Sequence, residues 1–353
     1  MLASAPMKIM VMGCGGIGGI VAAHLHEIGQ EVAPVTTNRE IFDAISSRGF
    51  QLRGEGAART VRAPIYLGVP EGSFDAVILA TQPPQVEEAA RTALPALSEN
   101  GVMVCLQNGL CEAKVAAIVG EERTVGAVVG WGATMPEPGL YDRTAAGGFT
   151  LGRMDGKEDA RLVELSHALE SVGPCELTNN LAGKRWSKLA INCAISSLGT
   201  VGGDRLGVLM QHRFVRRLAL EIMTEVVQVA RRENVRLEKV SGTLDLDWIS
   251  LKEEERKAAG SPALLAKHSL LLAVGFRFRR MRSSMLSAIE RGRPPAVDFL
   301  NGEIVDRAKR YELPARINTE MRNAVWDIAK RQRTSGIDTL RRIFEDSRAE
   351  MEG

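Results

Sequence analysis

The sequence predicts an α/β N-terminal half built on a parallel sheet, followed by an all-α C-terminal half. Three observations carry this reading. Over the first 179 residues, short β-rich apolar runs alternate with stretches of helical periodicity, the pattern of strands linked by crossover helices. A glycine-rich turn at residues 13–18 stands between the first such run and the first helical stretch. From residue 180 onward, apolar residues recur at helical spacing almost without interruption. The expected division is therefore 1–179 and 180–353.

Each element has its own local reason. Residues 8–12 (KIMVM) form a short apolar run that ends in glycine, a strand. Residues 17–28 form a helix, with Ile17, Ile20, Val21, Leu25 and Ile28 near helical spacing. Residues 31–36 give a second strand and 39–48 a second helix. The run 76–80 (AVILA) is continuously apolar, as a strand buried on both faces must be, and a helix over 85–97 follows. Residues 102–106 are a further buried strand, 112–119 a helix and 124–129 a strand. The Pro- and Gly-rich stretch 134–148 reads as turns joining antiparallel edge strands. Helices are then expected over 181–198, 214–233, 262–281, 296–310, 316–332 and 339–350. The mixed-sign run 252–257 (KEEERK) reads as a solvated helix face.

Composition excludes several classes of function. The 353 residues carry 45 Lys plus Arg against 43 Asp plus Glu, a net charge of +2, so the basic excess of a nucleic-acid binder is missing. With 45% hydrophobic and 25% charged residues the chain has ordinary globular values, and its length calls for about two domains. Five scattered cysteines without a CxxC pair argue against a disulfide framework or structural zinc, and for a reducing compartment. No apolar run is long enough to span a membrane, and residues 1–6 lack a signal-peptide pattern. A cytoplasmic protein with neither nucleic-acid nor membrane partners is expected. No HExxH motif or His/Asp/Glu cluster points to a metal, and no GxSxG motif supports acyl transfer.

The turn itself reads Gly13-Cys14-Gly15-Gly16-Ile17-Gly18, a GxGxxG between a strand and a helix. In that setting it is the dinucleotide fingerprint of a Rossmann domain. The first glycine makes the tight turn, the second lets the pyrophosphate approach the backbone, and the third lets helix and strand pack closely. A Walker A loop is excluded because no GK[ST] follows. The bland reading of Cys14 is a small residue filling the turn. The end of the second strand reads Thr36-Thr37-Asn38-Arg39, with no acid in the position that would hold an NAD ribose. Hydroxyls, an amide and a guanidinium suit a 2′-phosphate instead, which favours NADP.

Further along stand Leu106-Gln107-Asn108-Gly109-Leu110, Trp186-Ser187-Lys188-Leu189-Ala190-Ile191-Asn192, Ser283-Ser284-Met285-Leu286 and Asp298-Phe299-Leu300-Asn301-Gly302. With these motifs in this order, the chain resembles the ketopantoate reductase (2-dehydropantoate 2-reductase) family over nearly its whole length. The resemblance implies an N-terminal Rossmann domain, a helical C-terminal domain, a cleft between them, and hydride transfer from NADPH to the ketone of a 2-oxo acid. It also implies that Lys188 is the general acid, that Asn108 lies near the nicotinamide and the reacting carbonyl, and that Asn192 and Ser284 hold the substrate. A helix N-cap is the structural alternative for Ser284, and a cap or interdomain contact the expectation for Asp298. The residues agree with the chemistry: a desolvated lysine can protonate a developing alkoxide, and Asn192 and Ser196 follow Lys188 at i+4 and i+8, on one helix face.

Four positions depart from the family pattern. Ala296 stands where a glutamate contacts the substrate hydroxyl. Ser196 replaces a second substrate asparagine, and Gln82 a lysine after the third strand. Thr37 replaces an arginine, with Arg39 as a nearby substitute. Retained machinery with an altered pocket favours a 2-oxo acid or related carbonyl other than ketopantoate, or the corresponding alcohol. The other functional class is a catalytically silent NADP(H)-binding sensor, which the retained Lys188–Asn192 pair opposes. The segment 236–282 is long and contains Trp248, Phe276 and Phe278, suited to reshaping the cleft mouth or to packing a homodimer.

Overall fold

In the computed structural model, which describes residues 6–240, 244–257 and 260–352, the chain divides into two units, Met1–Leu181 and Ala182–Gly353. Residues 1–5, and 241–243 and 258–259 within the long 236–282 segment, lie outside the described part.

The first unit holds strands β1 (Lys8–Met12), β2 (Glu31–Val35), β3 (Phe50–Arg53), β4 (Arg59–Val61), β5 (Phe74–Leu79), β6 (Leu97–Cys105), β7 (Thr124–Val129), β8 (Gly132–Glu137), β9 (Leu140–Ala145), β10 (Phe149–Arg153) and β11 (Cys175–Leu177). Its helices are α1 (Gly16–Glu27), α2 (Arg39–Arg48), α3 (Val86–Ala93), α4 (Glu112–Val119) and α5 (Ala160–Leu169). Seven strands form the main sheet in the order β11-β10-β7-β6-β5-β1-β2. The pairs from β2 through β7 are parallel, and β10 turns antiparallel against β7. Strand order reverses at β1, which has β2 on one side and β5 on the other, the switch point where doubly wound sheets bind ligands at their C-terminal edge.

The central strands are buried on both faces. Ile9, Met10 and Val11 of β1 and Ala76 to Leu79 of β5 are fully enclosed, which explains why these runs do not alternate.

The expected turns at 134–148 are instead mostly strand. β8 and β9 pair antiparallel, as anticipated for edge strands, but they belong to a second sheet of order β4-β3-β9-β8. The expected helix over 85–97 is shorter. Pro83 and Pro84 open it with a 3₁₀ turn, Pro95 closes it with another, and β6 already starts at Leu97.

The second unit is helical: α6 (Leu181–Gly202, whose first residue closes the first unit), α7 (Leu206–Leu209), α8 (Arg213–Arg232), α9 (Leu246–Ile249), α10 (Glu253–Lys257), α11 (Pro262–Arg277), α12 (Ser284–Glu290), α13 (Asn301–Arg310), α14 (Arg316–Ala329) and α15 (Ile337–Glu352). Helix α8 is buried over most of its circumference and packs against α9, α11, α13, α14 and α15, the position of a bundle's central helix. The 252–257 run is only partly solvated. Glu255 is buried and accepts 2.6 Å from buried Lys267 of α11, which also donates to the Ser250 carbonyl at 2.8 Å.

Among the described residues, no helix is long and apolar enough to cross a membrane, and no group of three His, Cys, Asp or Glu is placed to hold a metal ion.

Candidate active site

The glycine turn leaves β1 and enters α1 at the switch point. Gly13 has φ +103°, a conformation that favours glycine, and a Cβ there would meet the Ala80 and Thr81 backbone at 3.0–3.1 Å. A Cβ on Gly18 would sit 1.9 Å from the Gly13 carbonyl oxygen, so this glycine is what lets α1 lie against the turn. Gly15 is different. Nothing lies within 4 Å of where its Cβ would be, which leaves room for a diphosphate to approach the backbone. Gly15 also N-caps α1 without a side-chain bond, and no acid stands in the first turn. The helix therefore offers its N–H groups and positive dipole end to an anion.

Three neighbours hold the turn rigid. The Gly13 N–H donates to Val35 O at 2.9 Å, which ties it to β2. Gly16 approaches the backbone of Ala133 in β8. Tyr141 of β9, fully buried, donates its hydroxyl to the Cys14 carbonyl at 2.9 Å and lays its ring on Gly19, where a Cβ would come within 2.2 Å. Cys14 joins the turn through its backbone. Its thiol lies in the core against Val35 O at 3.5 Å, and burial pushes its pKa up to about 12, so it is an inert space-filler.

The other candidate cofactor residues all follow C-terminal ends of parallel strands. After β2, Thr36 is buried while Thr37, Asn38 and Arg39 are exposed. Asn38 N-caps α2, with Oδ1 accepting from the Ile41 N–H at 3.0 Å, so its amide is partly committed. Arg39 makes a two-point contact with Asp43 at 3.0 and 3.2 Å on an exposed surface. Gln82 is exposed after β5, and Asn108 is exposed after β6, beside Gly109 with φ +91°. Between them Gln107 is buried and donates its amide to Leu79 O at 2.9 Å, which pins the β6 exit to the β5 exit.

In the helical unit, α6 carries the other candidates. Trp186, Leu189, Ala190, Cys193, Ser197 and Leu198 are buried, whereas Lys188, Asn192 and Ser196 are half-buried on one stripe with Ile191 and Ile195. Ser283 is the residue that joins α12 to this helix. Its hydroxyl donates to Ser196 O at 3.0 Å, lies 2.9 Å from Thr200 Oγ1, and accepts from the Leu286 N–H at 3.3 Å. The N-cap of α12 is therefore Ser283. Ser284, for which capping was the alternative reading, is an exposed first-turn residue next to it.

Sequence reasoning missed Ser283, although its position between Arg282 and a helical stretch is an N-cap signal. Asp298 has its partners within the helical unit. It accepts from Arg322 Nε at 2.6 Å and Trp326 Nε1 at 3.1 Å, fastening the segment before α13 to α14. Half-buried Ala296 stands two residues before it.

Comparison with known proteins adds a decisive observation. Residues 9–156 match the family described as ketopantoate reductase PanE/ApbA, and residues 180–329 match ketopantoate reductase PanE/ApbA C terminal. The chain belongs to the ketopantoate reductase family. It is 24% identical over 332 residues to the 2-dehydropantoate 2-reductase of Pyrococcus horikoshii, covering 94% of this chain and 99% of that one. Among solved structures, the PanE/ApbA family ketopantoate reductase of Ralstonia eutropha superposes with a TM-score of 0.77 at 24% identity, over 92% of this chain and 99% of the other. D-mandelate dehydrogenase, in a ternary structure with NADH and anilino(oxo)acetate, has the same fold at TM-score 0.77 and 19% identity, over 92% and 99% of the chains. As a ketopantoate reductase family member, the chain is a nicotinamide-dependent oxidoreductase of the type acting on a CH–OH group.

Proposed function

We propose that this reductase transfers hydride between NADP(H) and the carbonyl of a small 2-oxo acid or related ketone, with Lys188 as the proton donor and acceptor. The observation that carries the reading is the half-buried polar stripe Lys188–Asn192–Ser196 on α6, a helix whose other sides are largely buried. An ammonium there is partly desolvated, which strengthens its interaction with a developing alkoxide and makes it an effective acid. Asn192, Ser196 and Ser284 supply neutral hydrogen-bond groups for the substrate's carboxylate and carbonyl. Asn108 contributes an exposed amide after β6, at the strand edge where a nicotinamide would be held.

The open space at Gly15 and the uncapped start of α1 fit a dinucleotide, and Gly13, Gly15, Gly16, Ile17 and Gly18 would hold its diphosphate. When bound, the nicotinamide supplies or takes the hydride. Thr37 and Arg39 would meet a 2′-phosphate after β2, where no acid stands in wait for a ribose hydroxyl, and this supports NADP over NAD.

Ala296 argues that the substrate differs from ketopantoate. A methyl cannot accept the hydrogen bond that a hydroxylated substrate would offer, so selection for that hydroxyl is lost. The existence of a D-mandelate dehydrogenase on the same fold supports a wider substrate range.

The test is NADPH consumption with a panel of 2-oxo acids, ketopantoate included, and of simple ketones. Turnover should be highest on a 2-oxo acid without a hydroxyl on its side chain, and Lys188→Ala should lower it by about 10²–10⁴-fold. NADPH binding with no turnover across the panel would favour the sensor instead.

A further inference from the structure

The last turn of α1 carries a histidine enclosed by charge. The side chains of His24, Glu55 and Arg143 are only 12%, 11% and 11% exposed. They come from three elements of the first unit: α1, the loop between β3 and β4, and β9. Glu55 reaches the histidine because Gly54 lies flat against β9, where a Cβ would sit 2.3 Å from the Arg143 carbonyl oxygen. Arg143 donates to Glu55 Oε1 at 2.6 Å, to Val172 O at 2.5 Å and to Gly147 O at 2.8 Å, and its guanidinium lies 4.6 Å from the centre of the Trp131 ring. The other carboxylate oxygen, Oε2, is 2.6 Å from His24 Nε2. Two short charged contacts thus connect β9 to α1 through Glu55.

These bonds decide where the protons are. His24 Nδ1 lies 2.7 Å from Ser171 O, an oxygen that only accepts, so Nδ1 carries a proton. Burial alone would raise the Glu55 carboxyl, but its bonds to Arg143 and His24 outweigh burial and hold it below the usual carboxylate range. Glu55 is therefore ionised and also only accepts, which places a proton on Nε2. With both ring nitrogens donating, His24 is an imidazolium, and the C-terminal turn of a helix suits a cation. Among the described residues, two further charges stand beside it. Arg59 of β4 lies 3.0 Å from Nε2 and 3.5 Å from Glu55 Oε2, and Glu27 of α1 accepts from Arg59 Nε at 3.0 Å. Arg59 and Arg143 oppose the second proton on His24, whereas Glu55 and Glu27 favour it. Loss of the Nε2 proton would set a lone pair against the carboxylate and open the contact.

We propose that His24, Glu55 and Arg143 are positioning residues for the dinucleotide turn, and that the proton on His24 makes affinity for NADP(H) fall as pH rises. The inference rests on the proposed reading of that turn as a nucleotide site. Tyr141 and Arg143 are two residues apart on β9 and so project from the same face of the strand. Tyr141 holds the start of α1, through the Cys14 carbonyl and Gly19. Arg143 holds its end, through Glu55 and His24. With both points fixed, the helix cannot swing on its front contact, and its free N–H groups stay aimed at the diphosphate. When the proton leaves, the rear point opens, and binding must then supply the ordering of α1. The protonated form holds the clamp, so affinity is full at low pH and declines as His24 deprotonates.

Fluorescence titration of the full chain with NADPH between about pH 6 and about pH 9 tests it. Wild-type affinity should fall about fivefold across that range, the share of one charge-assisted bond that reaches the turn. His24→Gln keeps a donor but does not titrate, so it should flatten the decline and bind below the wild-type affinity at low pH. Two measurements on the wild-type chain do not depend on how the variant folds. The ring nitrogen shifts of His24 should show both nitrogens protonated at about pH 6. Calorimetry of NADPH binding at about pH 8, in buffers of unlike ionisation heat, should show proton uptake, since a phosphate monoester is already fully ionised there. A His24 ring with one proton at about pH 6, a pH profile identical in wild type and His24→Gln, or binding without proton uptake would overturn the inference and leave the nucleotide site standing. Absence of NADPH binding at every pH would instead sink the proposed function, and this inference with it.

Discussion

The hydroxyl of Tyr141 donates to the carbonyl of Cys14 at 2.9 Å, across 127 residues of chain. The bond joins the second, smaller sheet to the turn between β1 and α1, and burial of the phenol raises its pKa, so it remains a donor at any physiological pH. Tyr141→Phe keeps the ring on Gly19 and its stacking on Phe50 but leaves a buried carbonyl without its partner. The variant should lose about 1 kcal/mol of stability in urea titration and bind NADPH about fivefold more weakly by fluorescence titration. Unchanged affinity would mean that the tyrosine serves packing alone.

The glycines of the turn should separate by phenotype. Gly15→Ala meets nothing within 4 Å, so the nucleotide-free protein should lose no more than about 1 kcal/mol, the cost of a weaker N-cap, while dinucleotide affinity falls at least tenfold. Gly18→Ala drives a methyl to 1.9 Å from Gly13 O and should destabilise the nucleotide-free protein by about 2 kcal/mol or more. Thermal melts with and without NADPH distinguish the two. Similar losses of stability in both variants would contradict the open space at Gly15.

Arg39 tests the cofactor preference. If its guanidinium meets a 2′-phosphate, Arg39→Ala should raise the KM for NADPH about tenfold and leave that for NADH nearly unchanged. Asp43→Asn, which releases Arg39 from its exposed pair, should act in the opposite direction by a smaller factor. Equal effects on both cofactors would argue that the arginine is only a surface residue.

Glu225 gives the helical unit a pH dependence. Its side chain is buried on α8 and accepts from the N–H groups of Ile317 and Asn318 and from the Asn318 amide at 2.7–2.9 Å, which caps the start of α14. Burial outweighs these donors and raises its pKa from 4.5 to about 7. A raised carboxyl stabilises the folded state most below its unfolded pKa, and that contribution is lost as pH rises through the folded value. Stability from this group should fall by up to about 3 kcal/mol between about pH 4.5 and about pH 7 and then level off. Denaturation midpoints across that window should show the decline in wild type and a flatter profile in Glu225→Gln. Identical profiles would place the carboxyl's pKa in its ordinary range.

The legible parts of the sequence were those in which one local pattern had one physical cause. Strand β1, helices α2 and α4 and strand β7 have the ends that periodicity and turn residues indicate. The spacing of Lys188, Asn192 and Ser196 placed them on one stripe because a helix allows nothing else. What stayed hidden depends on contacts distant in sequence. Strands β3 and β9 are short and gain their stability by pairing with each other, Gln51 with Leu140 and Leu52 with Tyr141, which no local pattern announces. Glu255 looked solvated inside KEEERK because its partner, Lys267, stands in another helix. Asn38 and Ser283 each follow ordinary cap rules, yet the first drew attention as a phosphate ligand and the second was overlooked beside Ser284.

The second sheet also sets an order of events. The glycine fingerprint is complete by residue 18, but the strand that braces it, β9, ends at Ala145. During synthesis, the stretch that reads as a nucleotide site therefore leaves the ribosome long before its support does. A nascent chain released before β9 would display the motif on an unbraced turn, and tight dinucleotide binding would begin only once Tyr141 had closed over Gly19. On the proposed reading, the nucleotide turn gains its brace only in a finished first unit.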